Sequence, residues 1–262
     1  MIPQAFITEW QNVAPWQRDV QIEQDLIISR ILVEIFKDEF LRDQLLFRGG
    51  TALYKLFFKS PLRYSEDLDF VQKDAGPIKP IVEAIQQQLN PWLGVSSTDS
   101  RMDGFRIYYR FQSESDPEQT ARIKVEINTR EHFTVFAEEH IDYNVNSRWY
   151  QGKAEISSYH IDELAGTKLR ALYQRKKGRD LFDLYELITE KMVNPKRVIE
   201  AFYAYLEHQN LSIDQKEFIR NLEEKLIDEV FIRDCEILLL PTIKYDLSLA
   251  GDVVKDMIRL LK

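Results

Sequence analysis

The chain has 262 residues, 44% hydrophobic and 30% charged, enough for one large or two modest globular cores, and this excludes a disordered or low-complexity chain. A formal net charge of −8 and a pI near 5.2 exclude broad coating of nucleic acid, though not a local basic groove. A lone cysteine, Cys235, excludes an internal disulfide, and no Cys/His metal spacing exists among it and His132, His140, His160 and His208.

In chain order, residues 17–40 read as a long amphipathic helix, because Val20, Ile27, Ile28, Ile31, Leu32, Ile35 and Phe36 recur at helical spacing. A short apolar run, Leu45-Leu46-Phe47, leads into Arg48-Gly49-Gly50-Thr51, after which Leu53, Leu56 and Phe57 suggest a helix. Tyr64 to Val71 reads as a strand. Pro77 to Leu93 suggests another helix, with Pro91 ending it. Phe105–Phe111 and Arg122–Asn128 alternate as strands do, Ile123, Val125 and Ile127 facing one side and Lys124, Glu126 and Asn128 the other. From about His160 helical spacing takes over. One helix is expected to end at Lys176-Lys177-Gly178, cations and then glycine suiting a helix C-terminus. A second starts at Asp180, and others cover roughly 195–209, 214–239 and 248–261. The pattern changes near residue 155, which predicts an α/β domain over 1–155 and a helical domain over 156–262. The segment MIPQAFITEWQNV has neither a basic nor an apolar leader region, and no run approaches the ~18 apolar residues of a membrane span, so a cytoplasmic protein is expected.

Two stretches carry chemistry. Two glycines and a hydroxyl residue at a helix start are what a phosphate-cradling turn needs: glycine lets the backbone come close, and the first helical N–H groups point at the anion. On the strand that follows, Asp67 and Asp69 are two positions apart and share a face, while Leu68 and Phe70 point into a core. Paired carboxylates on one strand face suit a metal clamp for phosphoryl or nucleotidyl transfer. With 43 acidic residues an acid-x-acid triplet is common by itself; its combination with Gly-Gly-Thr makes the signal, against an ordinary glycine turn and an exposed acidic strand. The second stretch, Lys168 to Arg179, holds Lys168, Arg170, Arg175, Lys176, Lys177 and Arg179 without an acid. It suits a triphosphate or an RNA backbone, or else a helix C-terminus complementing its dipole.

The pattern Gly49-Gly50-Thr51-x-Leu53-x-Lys55, then Arg63-x-Ser65-Glu66-Asp67-Leu68-Asp69-Phe70, resembles the AbiEii/AbiGii-type nucleotidyltransferase toxins, including the MenT group, within the polymerase β-like nucleotidyltransferase superfamily. The resemblance extends to Glu163-Leu164 through Lys168 and to Arg179-Asp180-Leu181-Phe182-Asp183, with arginine at 179 where many relatives carry lysine. It implies an α+β fold: a polymerase β-like domain with a mixed sheet flanked by helices, then a C-terminal helical bundle. It also implies an enzyme that uses Mg²⁺ at a two-metal site and a nucleoside triphosphate (NTP) as donor. Asp67 and Asp69 would bind metal, with Glu126 on a neighbouring strand as the third carboxylate or, alternatively, a solvated strand residue. Gly49, Gly50, Thr51, Ser65 and Lys168 would hold phosphates, and Asp180, with Asp183 one turn on, would order the basic groups. Arg63 is either a further phosphate ligand or a surface arginine. By the same resemblance the acceptor is the 3′ end of tRNA, which would block aminoacylation, and the partner is a separately encoded antitoxin. A protein acceptor, or a silent nucleotide- or antitoxin-binding fold, are the competing implications.

Overall fold

The computed structural model describes residues 2–102, 104–116, 118 and 120–260. The chain forms two compact units, one of residues 1–133 and 138–159, the other of Thr134–Ala137 and His160–Lys262. No helix among the described residues is long and apolar enough to cross a membrane.

The first unit is built on a seven-stranded mixed sheet: β1 (Leu45–Arg48), β2 (Asp67–Gln72), β3 (Ser97–Arg101), β4 (Gly104–Gln112), β5 (Thr120–Asn128), β6 (Glu139–Asn146) and β7 (Gln151–Ser158), in spatial order β3-β4-β5-β2-β1-β7-β6. The β2–β5 and β1–β7 pairs are parallel and the others antiparallel. This is the α+β architecture expected of the sequence. The long helix predicted over 17–40 is α2 (Asp19–Lys37), preceded by α1 (Gln4–Trp10) and followed by α3 (Glu39–Gln44). Its Ile27, Ile28, Ile31, Leu32, Ile35 and Phe36 are fully buried. Each such side chain contributes about 1.5–3 kcal/mol of hydrophobic stabilisation. Helix α5 (Lys79–Leu93) also packs on α2 and β4; Pro91 lies inside its last turn rather than ending it, and the helix stops at Gly94, whose φ is +89°.

After β1 the chain enters α4 (Gly49–Ala52), a single turn that widens at once into a π-helical turn, Leu53–Phe57. The helix read from Leu53, Leu56 and Phe57 is therefore short. Strand β2 starts at Asp67, three residues later than the apolar pattern suggested, and β3, β6 and β7 were not foreseen. STDSR of β3 lacks the apolar alternation that marks a half-buried strand, whereas β6 does alternate, Ile141, Tyr143 and Val145 against His140, Asp142 and Asn144, a signal the sequence reading passed over.

The second unit is helical: α6 (Ile161–Gln174), α7 (Gly178–Thr189), α8 (Pro195–His208), α9 (Gln215–Leu226), α10 (Glu229–Glu236) and α11 (Leu247–Ile258). The helix expected over 214–239 is two, because the Asp228 side chain accepts from the Phe231 N–H and caps a new start. Residue 261, where the last helix was expected to end, lies outside the described residues. Gly178 opens α7 instead of terminating α6, and a Cβ there would collide with the Phe231 carbonyl of α10. Glu163 binds Thr134–Ala137 into this unit by accepting from the Val135 and Phe136 N–H groups at 3.0 Å and from the Tyr205 hydroxyl at 2.8 Å.

Lys225 of α9 is buried and donates to the Leu172 and Tyr173 carbonyls, capping the last turn of α6. Burial pushes its ammonium down to about 8. Between that value and the ~10.4 of an unfolded lysine, the unfolded chain holds one more proton than the folded one. Folding stability must therefore rise with pH across the window, by up to about 3 kcal/mol for this group. The stability difference between the wild type and Lys225→Met, measured by urea unfolding at pH 7.5 and 10, is expected to widen in favour of the wild type at the higher pH. A difference that stays constant contradicts the assignment.

Candidate active site

The site is assembled on the solvent-facing side of the central strands. Antiparallel pairing sets Arg48 opposite Asp69, and parallel pairing sets Asp69 level with Glu126 and Asp67 level with Lys124. Arg106 of β4 is paired with Glu126 in turn. Residues that are level in a sheet share a face, so Asp67, Asp69 and Glu126 stand on one side. Leu68, Phe70, Val125 and Ile127 point the other way and are buried.

Both glycines of the turn lie at close approaches, and the backbone at Gly49 also favours glycine. Gly49 has φ +83°, and a Cβ on it would run into Asp69 Oδ2 and lie 3.2 Å from Asp69 Cγ. A Cβ on Gly50 would strike the Arg63 guanidinium and sit 3.4 Å from Ser65 Oγ. The start of α4 is thus in direct contact with the Asp69 carboxylate on one side and with Arg63 and Ser65 on the other. The Thr51 hydroxyl is buried; it hydrogen-bonds Ser65 Oγ at 2.8 Å and donates to the Asp67 carbonyl at 2.5 Å, tying α4 to the first residue of β2. Gly49→Ala is expected to lower the melting temperature and to displace Asp69, with at least about a hundredfold loss of activity, the cost of a misplacement of ~1 Å. Thermal melting and a turnover assay check this, and wild-type values in both would contradict it.

Charge is unevenly distributed. Lys124 Nζ lies 3.2 Å from Asp67 Oδ2 and 2.8 Å from Glu126 Oε2, while the Arg106 guanidinium donates to Glu126 Oε1 at 2.9 Å. Burial opposes ionisation of Glu126, but hydrogen bonds from Arg106 and Lys124 outweigh it and hold the carboxyl below its usual range. Burial also works against the Lys124 ammonium, yet Glu126, Asp67 and Asp69 raise its proton affinity overall. Asp69 differs: burial first, then the neighbouring Asp67 charge, push its carboxyl up. Among the described residues no three His, Cys, Asp or Glu side chains are grouped so as to hold a metal. The carboxylates of this strand face are Asp67 and Asp69, with Glu126 engaged at both oxygens by Arg106 and Lys124. Paired carboxylates of this kind would suit Mg²⁺, which is commonly held by one or two carboxylates plus the substrate's phosphates rather than by a full protein cage.

One supporting residue was not foreseen. Asp25 of α2 is fully buried and accepts from Trp10 Nε1 at 2.9 Å, Trp16 Nε1 at 3.2 Å, the Tyr54 hydroxyl at 2.9 Å and Lys55 Nζ at 2.7 Å. Tyr54 and Lys55 belong to the π-helical turn, so Asp25 anchors the segment that follows the Gly49–Gly50 turn. The signal available in the sequence was slight: Asp25 directly precedes the apolar run Leu26-Ile27-Ile28, but Glu23 and Glu34 are carboxylates of the same amphipathic helix.

In the second unit, Lys168 Nζ lies 3.0 Å from Asp180 Oδ1 and 2.8 Å from Asp183 Oδ2, and Arg175 donates to both oxygens of Asp180 at 2.7 and 2.9 Å. Asp180 is fully buried. Burial opposes its ionisation, but Lys168 and Arg175 hold it well below the usual carboxylate range. The rest of the basic run is also partnered: Lys176 with Asp228 at 2.8 Å, Lys177 with Asp234 at 3.1 Å, Arg179 with Asp234 at 3.7 Å, and Arg170 against the Tyr205 ring. The run that is acid-free in sequence is not a bare positive patch in three dimensions.

The model of the AbiEii nucleotidyltransferase toxins of type IV toxin–antitoxin systems matches residues 30–241. The chain belongs to the AbiEii family. No curated protein matches it in sequence. Among solved structures, this AbiEii chain is similar to MenT4, a nucleotidyltransferase toxin from Mycobacterium tuberculosis, at 15% identity and a TM-score of 0.71, covering 100% of this chain and 91% of that one. It is also similar to JHP933 from Helicobacter pylori (19% identity, TM-score 0.53, 93% and 92% covered) and to a nucleotidyltransferase-fold protein of H. pylori (20%, 0.54, 93% and 95%). At these identities the structural likeness establishes the fold; the family match establishes the membership.

Proposed function

We propose that the protein is a toxin that transfers a nucleotide from an NTP, with Mg²⁺, onto the 3′ end of tRNA, and that a separately encoded antitoxin counteracts it. The observation that carries this reading is the contact between the glycine-lined start of α4 and the carboxylate of Asp69, with Asp67 on the same strand face. The N–H groups of Gly49, Gly50 and Thr51 open a helix and so have no intrahelical acceptor; in this reading they receive the triphosphate oxygens. Arg63, packed on Gly50, adds positive charge beside them. The Thr51 hydroxyl holds the turn to β2, leaving its amide for the ligand.

Asp67 and Asp69 would hold Mg²⁺, which when bound neutralises phosphate charge and makes the acceptor hydroxyl a better nucleophile. The acceptor's 3′-hydroxyl oxygen forms a bond to the α-phosphorus as the bond from that phosphorus to the bridging oxygen breaks. Pyrophosphate leaves, and the hydroxyl proton passes to one of the aspartate carboxylates. Glu126, with both oxygens bound by Arg106 and Lys124, orients those cations instead of taking the proton. Lys168, Asp180 and Asp183 keep α6 and α7 together through their buried ion pairs. Catalysis in this scheme is positioning plus electrostatics.

The test is to incubate the protein with Mg²⁺, each α-labelled NTP in turn, and either total tRNA or protein lysate. Label is expected in the tRNA fraction and not with Asp69→Asn. Label confined to protein would replace the acceptor, and undiminished labelling by the variant would remove the aspartates from the site.

A further inference from the structure

Past the start of β2 the β4–β5 hairpin runs on without a further strand beside it, its β5 edge held by Gln24 of α2, which donates to the Arg122 carbonyl at 2.9 Å. Strand β2 begins at Asp67, level with Lys124, and β3 pairs with β4 only as far as Tyr108, whereas β5 continues back to Thr120 opposite Gln112. The face that carries Asp67 and Asp69 continues onto this extension. Its next residues are Tyr108 beside Lys124, then Arg110 directly opposite Arg122. Ile107, Tyr109, Phe111, Ile123 and Val125 fill the inner face and are buried, so strand alternation turns the basic row outward.

Arg110 and Arg122 are exposed, and among the described residues neither forms an ion pair. Like charges directly opposite one another on a sheet are destabilising, and no acid stands between these two. A polyanion laid across them would remove that cost. The Arg122 guanidinium also lies 5.1 Å from the centroid of the Tyr108 ring, giving a planar cation backed onto an aromatic face. Such surfaces stack nucleobases. Arg122 is four residues along β5 from the level of Asp69, about 13 Å. That span takes more than one nucleotide at ~3.4 Å of rise each.

We propose that Tyr108, Arg110 and Arg122 form the acceptor track: a single-stranded polynucleotide lies along the β4–β5 extension with its 3′ end toward Asp67 and Asp69. Arg110 and Arg122 pair with backbone phosphates, and Tyr108 stacks a base. This inference rests on the nucleotidyltransferase reading and selects a polynucleotide over a protein acceptor, since a polypeptide offers neither regular phosphates nor planar bases to the row.

The test is fluorescence anisotropy with a labelled single-stranded 12-mer, as RNA and as DNA, over a salt series, using wild type, Arg110→Ala/Arg122→Ala, Arg110→Glu/Arg122→Glu and Tyr108→Leu. All three residues lie on the outer face, so melting temperatures matching the wild type confirm the fold of each variant. The double alanine variant is expected to bind at least about tenfold more weakly and to lower the slope of log affinity against log salt by about 1.4, the value for two phosphates on a single strand. The glutamate pair lowers affinity further, and Tyr108→Leu weakens binding about fivefold or more with the slope unchanged. Binding of either strand with these dependences supports the track, and the tighter one identifies RNA or DNA as its ligand. Wild-type affinity and slope in the glutamate pair overturn it, as does a wild-type protein that binds neither strand. If the glutamate pair binds normally while the wild type still labels RNA, the track is wrong and nucleotidyl transfer stands. If the wild type labels nothing with any NTP, the transfer reading fails, and the anisotropy series still decides the surface.

Discussion

Asp69→Asn is expected to lower the rate of nucleotide transfer at least about a thousandfold, or ~4 kcal/mol of transition-state stabilisation, with the fold intact. Asparagine has the volume of aspartate, so the packing of Asp69 against Gly49 survives the change. What disappears is one of the two carboxylates of the strand face proposed to hold Mg²⁺, in a place where burial and Asp67 already make negative charge costly unless a cation is near. The variant should melt within about 2 °C of the wild type, as expected for a shape-conserving change. Transfer rates at saturating NTP over a Mg²⁺ series are the measurement. A rate within tenfold of the wild type, at any Mg²⁺ concentration, would refute the assignment of Asp69 to the cation.

The second large effect is on stability. Asp25→Ala strands the Lys55 ammonium in the interior and leaves Trp10, Trp16 and Tyr54 without their shared acceptor. Removing one partner of a buried ion pair costs about 3–5 kcal/mol. For a unit of this size that is a drop of roughly 6–20 °C in melting temperature. Asp25→Asn keeps an oxygen acceptor and the shape but not the charge, so it should fall between the two. Because Tyr54 and Lys55 sit in the π-helical turn next to Gly49–Ala52, the alanine variant should also bind NTP less tightly at temperatures where it is still folded. A shift below about 3 °C would mean that Asp25 is not the anchor of that turn.

Much of the central unit was legible because local rules and tertiary packing agree there. The apolar spacing of residues 17–40 became α2, and the alternation at Phe105–Phe111 and Arg122–Asn128 became β4 and β5. The period of two in Asp67-Leu68-Asp69 required the aspartates to share a face whichever strand lay beside them. The pair of glycines signalled a close approach, although not of what. The family was readable from the same residues, and the match over residues 30–241 confirms it.

Other features depended on partners far away in the chain. Strand β3 draws its order from hydrogen bonds to β4 and its polar sequence carries no apolar period to read, while the alternation in β6 and β7 is carried by few and mostly small or polar-flanked side chains and was passed over. Gly178 looked like a helix stop because its neighbours are cations, but the requirement it meets is the nearness of the Phe231 carbonyl. The basic run from Lys168 to Arg179 looked like a patch because Asp180 and Asp183, the partners of Lys168 and Arg175, lie just past its end, and Asp228 and Asp234, the partners of Lys176, Lys177 and Arg179, lie some fifty positions further on.

From sequence alone, then, came α2, α5, strands β2, β4 and β5, the helical second half, the family and which side chains share a strand face, because periodicity and turn chemistry act between residues a few positions apart. Tertiary structure alone decided that Gly49 touches Asp69, that Arg106 and Lys124 bind Glu126, and that Arg110 opposes Arg122. Those facts depend on strand register, and register is set by how distant segments bury their apolar faces together.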